Sequence, residues 1–371
     1  MSDYGLFIVW PKYFDKSKEI INDLNNTFKI IELYDISWDE DKIYKNIKRF
    51  YGDKLSSSSI REKTENKLEF KLIIIEDLNP KYEFRLNARG VEKVNSNFFD
   101  KKNELRKKYK TKFGIHGTND EIETNRDLTL LLGINLKDYK NKNKNNNVEK
   151  IKRDITGDGG WDNFEQLFYF LNAVEPYVIL RNQEEINDNI RENDDIDFLV
   201  NNHQKMALFL DAKKMSKGTE RVNYKIIVNN KFIRIDLRYI GDNYFDIFWQ
   251  NECMKNRILS ENNIYVLDEL NAYYTLIYHS LIHKRQVPEK YLEIFKLSEN
   301  DLKNELYKFM YDFNYRMVEP KDITLYFNRK YGGDIKFSKD RRIRDKKGFV
   351  GSIKKIFYKI NNIIHFRKGP A

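Results

Sequence analysis

The sequence predicts a mixed α/β protein in two parts, an N-terminal α/β domain followed by an α+β domain with a mixed sheet and a helical C-terminal part. Three observations predict it. Apolar runs of strand length alternate with amphipathic stretches of helical length over residues 1–136. A polar Lys/Asn segment, KDYKNKNKNNNVEKIK at 137–152, then breaks the rhythm and reads as a linker. Finally, 371 residues exceed one small core and suit domains of roughly 100–200 residues each. With 40% hydrophobic and 14% aromatic residues the chain has the apolar content to build such cores, which excludes a disordered protein.

The elements follow in order. Tyr4–Trp10 is an apolar run stopped by Pro11 and charges, too short for a signal-peptide core and suited to a buried first strand. A helix is expected through Glu19–Asn25, a strand over Phe28–Tyr34, a helix from Asp39 to Phe50 and a strand over Phe70–Ile75. Phe98–Lys108 reads as helical, and so does Asp120–Leu132, which Gly133 ends. Thr118 with Glu121 three positions on has the spacing of a capping box. His116–Gly117–Thr118 therefore lies where free N–H groups and the helix dipole favour an anion, and Arg126 adds charge. His116 and Thr118 are candidates for binding phosphate or sugar phosphate, although a cap alone also explains Thr118.

The second domain is expected over 153–330. It carries a helix at Trp161–Asn172, a strand at Tyr177–Leu180, the strand DDIDFLV, strands near Asn223–Val228 and Phe232–Arg238, and helices over Leu267–His283 and Pro288–Phe313. A basic tail, 331–371, ends the chain. Within it Ile353, Ile356, Phe357, Ile360, Ile363 and Ile364 recur at helical spacing with lysines on other faces, an amphipathic helix over 352–366. Such a helix packs on the protein's own core or lies on an anionic membrane surface, and binds nucleic acid only as a third reading, since its basic face lacks aromatics for stacking.

Charge is unevenly placed. The net +10 resides in the tail: from Arg329 onward 14 Lys and Arg face three Asp, so the body is close to neutral and carries no general attraction for polyanions. One cysteine, Cys253, excludes an intrachain disulfide and a cysteine zinc cluster, which suits the cytosol, with a peripheral membrane position possible through the tail.

Three aspartates carry the chemistry. Side chains of a strand alternate faces, so Asp195 and Asp197 point one way while Ile196 and Phe198 point to the core. Asp236 sits in a second apolar strand, where a carboxylate is costly unless paired or bound to a cation. If the strands are neighbours, the three carboxylates converge on a site for Mg²⁺ or Mn²⁺, which favour oxygen ligands and phosphate. Ions held there would activate an attacking hydroxyl and stabilise a leaving phosphate oxygen. Arg238 is expected to face away from Asp236 and to be structural.

Tyr177–Asn182, then Asp195–Val200, then a strand bearing Asp236 resemble the core of the DNA polymerase beta-like nucleotidyltransferase superfamily. The likeness, over roughly Trp161–Asn328, is sharper to uncharacterised nucleotidyltransferase-like domains of bacterial surface-polysaccharide clusters. Those domains have a similar D-h-R-x-h-G-D-x-Y-x-D segment, matched by Asp236–Asp246, and a Y-H-x-x-x-H-K helix, matched by Tyr278–Lys284. Proteins of these clusters also carry a segment similar to Ile115–Leu132. The resemblance implies that Asp195, Asp197 and Asp236 bind the metals that hold a nucleotide's phosphates. Where the superfamily has a Gly-Ser or Gly-Gly turn this chain has Leu180–Arg181–Asn182, with Arg181 as a substitute phosphate fork. A nucleotide donor and a CDP-linked donor of the kind used by choline-phosphate transferases are thus both open.

His279 and His283 share a helix face beside Lys284. They are expected to bind substrate phosphate or donate hydrogen bonds beside the acidic site, with zinc binding and plain core hydrogen bonding as the other readings; no acid makes the pair an H-E-x-x-H motif. The sequence thus points to a metal-dependent nucleotidyl- or phospho-alcohol transferase acting on a sugar, polyol or glycan intermediate. Asp236 would complete the metal site and help deprotonate the acceptor. The competing expectation is a non-catalytic protein of the same fold, tethered by its tail to membrane, RNA or a partner.

Overall fold

The structure, a computed structural model, describes residues 2–52, 55, 59, 60, 63, 69–87, 90–144, 147–186, 195–218 and 220–332. It is mixed α/β throughout, with helices and mixed sheets in both parts. The chain forms two compact units: Met1–Trp161 with Tyr169–Glu175 and Leu208–Asp211, and Asp162–Phe168 with Pro176–Ala207 and Ala212–Ala371. The amphipathic helix expected over 352–366 lies outside the described residues.

The first unit contains β1 (Asp3–Val9), α1 (Ser17–Asn25), β2 (Lys29–Ser37), α2 (Ile43–Tyr51), β3 (Glu69–Asp77), β4 (Tyr82–Asn87), β5 (Gly90–Asn95), α3 (Ser96–Lys108), β6 (Ile115–Gly117), α4 (Glu121–Leu132), α5 (Leu136–Asn141) and β7 (Glu149–Lys152). Its five-stranded sheet runs β6-β1-β3-β2-β7. β3 lies at the centre, antiparallel to β1 and β2, and Leu72–Ile75 is wholly buried. That is why it reads as an unbroken apolar run rather than an alternation. On one face Phe7, Val9, Ile73 and Ile75 pack with Ile20 and Leu24 of α1 and Phe98 and Leu105 of α3. The β4–β5 hairpin was not expected, because its exposed, charge-interleaved residues carry little core signal.

The 137–152 segment differs from the linker expected of it. It contains most of α5, and β7 adds to the sheet as a parallel edge beside β2. Composition hid two anchors. Leu136 and Tyr139 are buried, and the Tyr139 hydroxyl donates to Glu32 (2.5 Å), a buried carboxylate that also accepts from Tyr34 (2.6 Å). The charged sequence of β7 is what an exposed sheet edge tolerates.

A second anchor is Arg49 of α2, 2% exposed. Its guanidinium donates to the carbonyls of Ile155, Thr156, Leu208 and Phe209 at 2.7–3.2 Å. One side chain thus supplies a donor to four carbonyls, of which Ile155 and Leu208 also accept from the Asp158 and Asp211 amides.

The second unit takes α6 (Phe164–Val174) through Phe168, β8 (Tyr177–Ile179), β9 (Asp195–Val200), α7 (His203–Phe209) through Ala207, β10 (Lys213–Lys214), β11 (Asn223–Val228), β12 (Lys231–Tyr239), α8 (Ile247–Lys255), β13 (Ile258–Leu259), β14 (Tyr265–Val266), α9 (Glu269–Ile282), α10 (Glu289–Phe295) and α11 (Glu299–Phe313). The sheet order is β10-β11-β12-β9-β8-β14-β13. β11 and β12 bury every second residue, Tyr224, Ile226 and Val228 against Ile233, Ile235 and Leu237. Asn223, Lys225, Arg234 and Asp236 therefore occupy the opposite, more open face. The helices close over an aromatic core in which Trp249 meets Tyr278, Phe309 and Tyr315. Among the described residues no helix is long and apolar enough to cross a membrane.

Candidate metal centre

β9 and β12 are adjacent and parallel, in a register that sets Asp197 beside Asp236 and Asp195 beside Arg234. One carboxylate oxygen each from Asp195, Asp197 and Asp236 lies within 4.8 Å of the others, the only such group of three or more metal-ligating side chains among the described residues. Asp195 is exposed at the strand's start, Asp197 is 5% exposed, and the Asp236 side chain is 13% exposed.

Two arginines share the charge. Arg181 Nη2 lies 2.9 Å from Asp197 Oδ2, and Arg238 Nη2 donates to Asp236 Oδ2 at 3.0 Å. The placement expected of Arg238 is corrected here: it stands two residues after Asp236, so the alternation of a strand puts both on one face. Asn223 Nδ2 donates to the other Asp236 oxygen, Oδ1, at 2.6 Å. Burial pushes the Asp197 carboxyl up to about 6; Arg181 opposes the shift, and the neighbouring Asp236 and Asp195 add to it. Burial works against the charge on Arg181, but the Asp197 carboxylate more than compensates and holds its pKa above the ordinary value.

Behind the arginine stands a relay that the sequence did not reveal. Arg181 Nη1 donates to the Tyr244 hydroxyl at 3.0 Å, which meets His279 Nδ1 at 2.9 Å. Arg238 lies over the Tyr244 ring, 4.8 Å from its centroid, and the His283 ring packs on the same tyrosine at 4.2 Å. Burial, reinforced by the surrounding cations Arg181, Arg238 and Lys284, holds His279 and His283 well below the ordinary histidine range, so both are neutral at pH 7. Lys284 is half-buried just past α9, with its carbonyl accepting from Asn328 (3.3 Å). Asn182 is exposed in a left-handed conformation (φ 55°) at the start of a short 3-10 turn.

The segment after Asp236 divides its labour. Gly241 takes a positive φ of 90°, which a side chain would strain, and so turns the chain. Asp242 then accepts from the Tyr244 amide and from Gln250, while Asp246 caps α8. These two acids serve the turn that presents Tyr244. A signal for Tyr244 existed in the motif, but its partners lie on separate elements.

His116 and Thr118 belong to the first unit, apart from this cluster. The Thr118 hydroxyl, fully buried, meets the Leu6 amide (3.1 Å) and the Thr124 hydroxyl (2.9 Å). It does not cap the helix. Asp120 does, accepting from Glu123 N–H at 2.7 Å, while Glu123 reaches back to the Asn119 amide. The capping box is therefore shifted by two residues. Gly117 has its own reason, since a Cβ there would lie 2.7 Å from the Phe7 ring. His116 Nε2 meets Asp127 Oδ2 at 2.8 Å, and that carboxylate is fully buried and also held by Arg126. An ionised Asp127 places the imidazole proton on Nε2 and leaves Nδ1 its lone pair. Burial keeps the ring below its ordinary pKa, so it stays neutral at pH 7 and, with its proton on Nε2, has none on Nδ1 to donate to a phosphate oxygen.

An ion such as Mg²⁺ binds oxygens at about 2.0–2.1 Å, so its neighbouring ligands stand about 3 Å apart and opposite ones about 4 Å. The triad, all oxygen and spread over at most 4.8 Å, fits such an ion after a small side-chain rotation, for which the exposed Asp195 has room. Asp197 and Asp236 then share their oxygens with arginines that hold the site's excess negative charge near one. Comparison with protein-family models, curated proteins and solved structures finds no match to this chain.

Proposed function

We propose that the protein is a Mg²⁺- or Mn²⁺-dependent transferase of the nucleotidyltransferase type, which moves a nucleotidyl or phospho-alcohol group from a nucleotide or CDP-linked donor to a hydroxyl of a sugar, polyol or glycan intermediate. The observation that carries the reading is the convergence of Asp195, Asp197 and Asp236 on one face of two parallel strands. A bound divalent ion would supply charge neutralisation at the donor's phosphate oxygens. The chain's own residues do the rest. Asp197 and Asp236, fixed by Arg181, Arg238 and Asn223, set the position of the donor phosphate. Both Asp236 oxygens already accept hydrogen bonds, so the base role expected of it passes to Asp195, the exposed carboxylate. As the acceptor oxygen bonds to phosphorus, its proton moves to Asp195 and the bond from phosphorus to the leaving oxygen breaks, releasing pyrophosphate or a cytidine monophosphate. Tyr244, His279 and His283 position Arg181 from behind.

A screen of nucleoside triphosphates and CDP-linked donors with Mg²⁺ tests this. Turnover by the wild type that Asp195→Asn and Asp197→Asn each reduce at least about 100-fold is expected, from the loss of a ligand or base; equal turnover by these variants would sink the assignment.

The arginine pairs favour one second reading. Two of the three carboxylates already have a cationic partner within the chain, as in a site that has ceased to need a metal. Under that reading the fold binds rather than transfers, and Mn²⁺ titration of the wild type gives no signal.

A further inference from the structure

The register of the second unit's sheet places a row of cations beside the acidic site. Asp195 on β9 is opposite Arg234 on β12, Arg234 opposite Lys225 on β11, and Lys225 opposite Lys213 on β10. Directly paired residues point to the same face, so three positive side chains stand side by side, ending at the first carboxylate. Neighbouring strands are about 4.8 Å apart, so the cations span about 10 Å. Lys213 and Arg234 are exposed and Lys225 is half-buried. None of the three makes an ion pair with a carboxylate among the described residues. Lys225 instead lies over the ring of Phe232, an exposed aromatic, at 4.4 Å from the centroid.

Like charges directly opposite one another destabilise a sheet, and elsewhere this chain pairs its surface lysines with acids, as Lys42 and Lys45 do with Asp158. At the row's inner end a cavity of about 300 Å³ opens beside Arg234, lined also by Asp195, Asp236, Asn223, Tyr224 and Ser216 among others. It offers hydroxyl and amide groups beside the guanidinium, and it is continuous with two of the three metal-site acids.

We infer that this sheet face binds a chain of linked phosphates, a diphosphate or longer, with one end at Asp195, Asp197 and Asp236 and the rest laid across Arg234, Lys225 and Lys213. This rests on the transferase reading in assigning the near end to a divalent ion, but the cationic row acts without it. Charge complementarity names the occupant: three cations at strand spacing, without a carboxylate partner among the described residues, answer successive phosphates, whereas the carboxylates repel an anion unless an ion intervenes.

Tripolyphosphate is the probe, titrated calorimetrically against the full chain in EDTA and again with Mn²⁺. Binding in EDTA that weakens at least about tenfold in Lys213→Glu/Lys225→Glu/Arg234→Glu is expected, with Mn²⁺ strengthening it in the wild type. A Gln triple variant, which avoids new carboxylates, should lose most of the same affinity while keeping the wild-type melting temperature. Unchanged tripolyphosphate binding in both variants overturns the inference. So does a row that binds single-stranded oligonucleotide but no tripolyphosphate. Mn²⁺ binding by itself separates the two readings. If the wild type binds tripolyphosphate through the row but no Mn²⁺, the metal centre fails and the row stands. If it binds Mn²⁺ normally while the variants keep their tripolyphosphate affinity, the row fails and the centre stands.

Discussion

Arg181 occupies the place where a metal ion's charge would act, and its removal gives a prediction of unusual sign. In most metal sites a nearby substitution weakens binding, but here Arg181→Gln should strengthen it. The guanidinium lies 2.9 Å from Asp197, so an ion on the same carboxylate stands on the order of 5 Å from it. A doubly charged ion and a unit charge at roughly 5 Å repel by about 1.7 kcal/mol even at the dielectric of water, which is about 20-fold in affinity. Mn²⁺ titration followed by electron paramagnetic resonance or calorimetry, at pH 8 so that Asp197 is ionised, reads the effect directly. Asp197→Asn serves as the opposite control, with its affinity falling at least about 100-fold through loss of a buried ligand. Gln retains a side-chain amide for the Tyr244 hydroxyl, and circular dichroism confirms that the variant is folded. Mn²⁺ affinity that is unchanged or weaker in folded Arg181→Gln would refute the reasoning, because it would mean that the arginine orients Asp197 more than it competes with the ion.

Three further outcomes are expected. Burial holds His116 below its ordinary 6.5, so the unfolded chain takes up this proton more readily than the fold does. Its contribution to stability is full above pH 6.5 and is lost as pH falls, and His116→Gln should flatten the decline of urea-unfolding free energy between pH 6.5 and 5. Arg49→Met removes a donor from each of four carbonyls and should destabilise the first unit by about 3 kcal/mol, seen as a lowered urea midpoint. Tyr139→Phe takes one donor from buried Glu32 and should cost about 1–2 kcal/mol by the same measurement; an unaltered midpoint would show that this bond does not hold α5.

What the sequence made legible follows from the range of the forces concerned. Asp195 and Asp197 could be paired by eye because the alternation of a strand is a local rule, and Asp236 stood out as a charge in an apolar strand. Their meeting depended on strand register, which no local pattern shows, yet β9 and β12 do lie side by side. The arginine partners were harder. Arg238 needed only the same parity rule applied with the right count, while the Arg181–Tyr244–His279 relay joins residues 35 and 63 positions apart across a turn. Composition misled at 137–152, where thirteen polar residues outweigh Tyr139 and the preceding Leu136 although those two buried side chains decide the packing. At α4, Thr118 and Asp120 both suit a cap by residue type. The structure spends Thr118 on the strand beside it and leaves the cap to Asp120.

The four carbonyls gathered by Arg49 also govern how this protein can be made. Two of them, on Leu208 and Phe209, lie more than 150 residues downstream of the arginine and beyond the first strands of the second unit. During synthesis the first unit cannot close until the ribosome has released residues 208–211, by which time β8 and β9 have emerged as well. The two units are therefore committed to maturing together. Severing the chain at 152, where the sequence seemed to offer a seam, would strand a buried guanidinium with all four of its carbonyl partners on the other fragment.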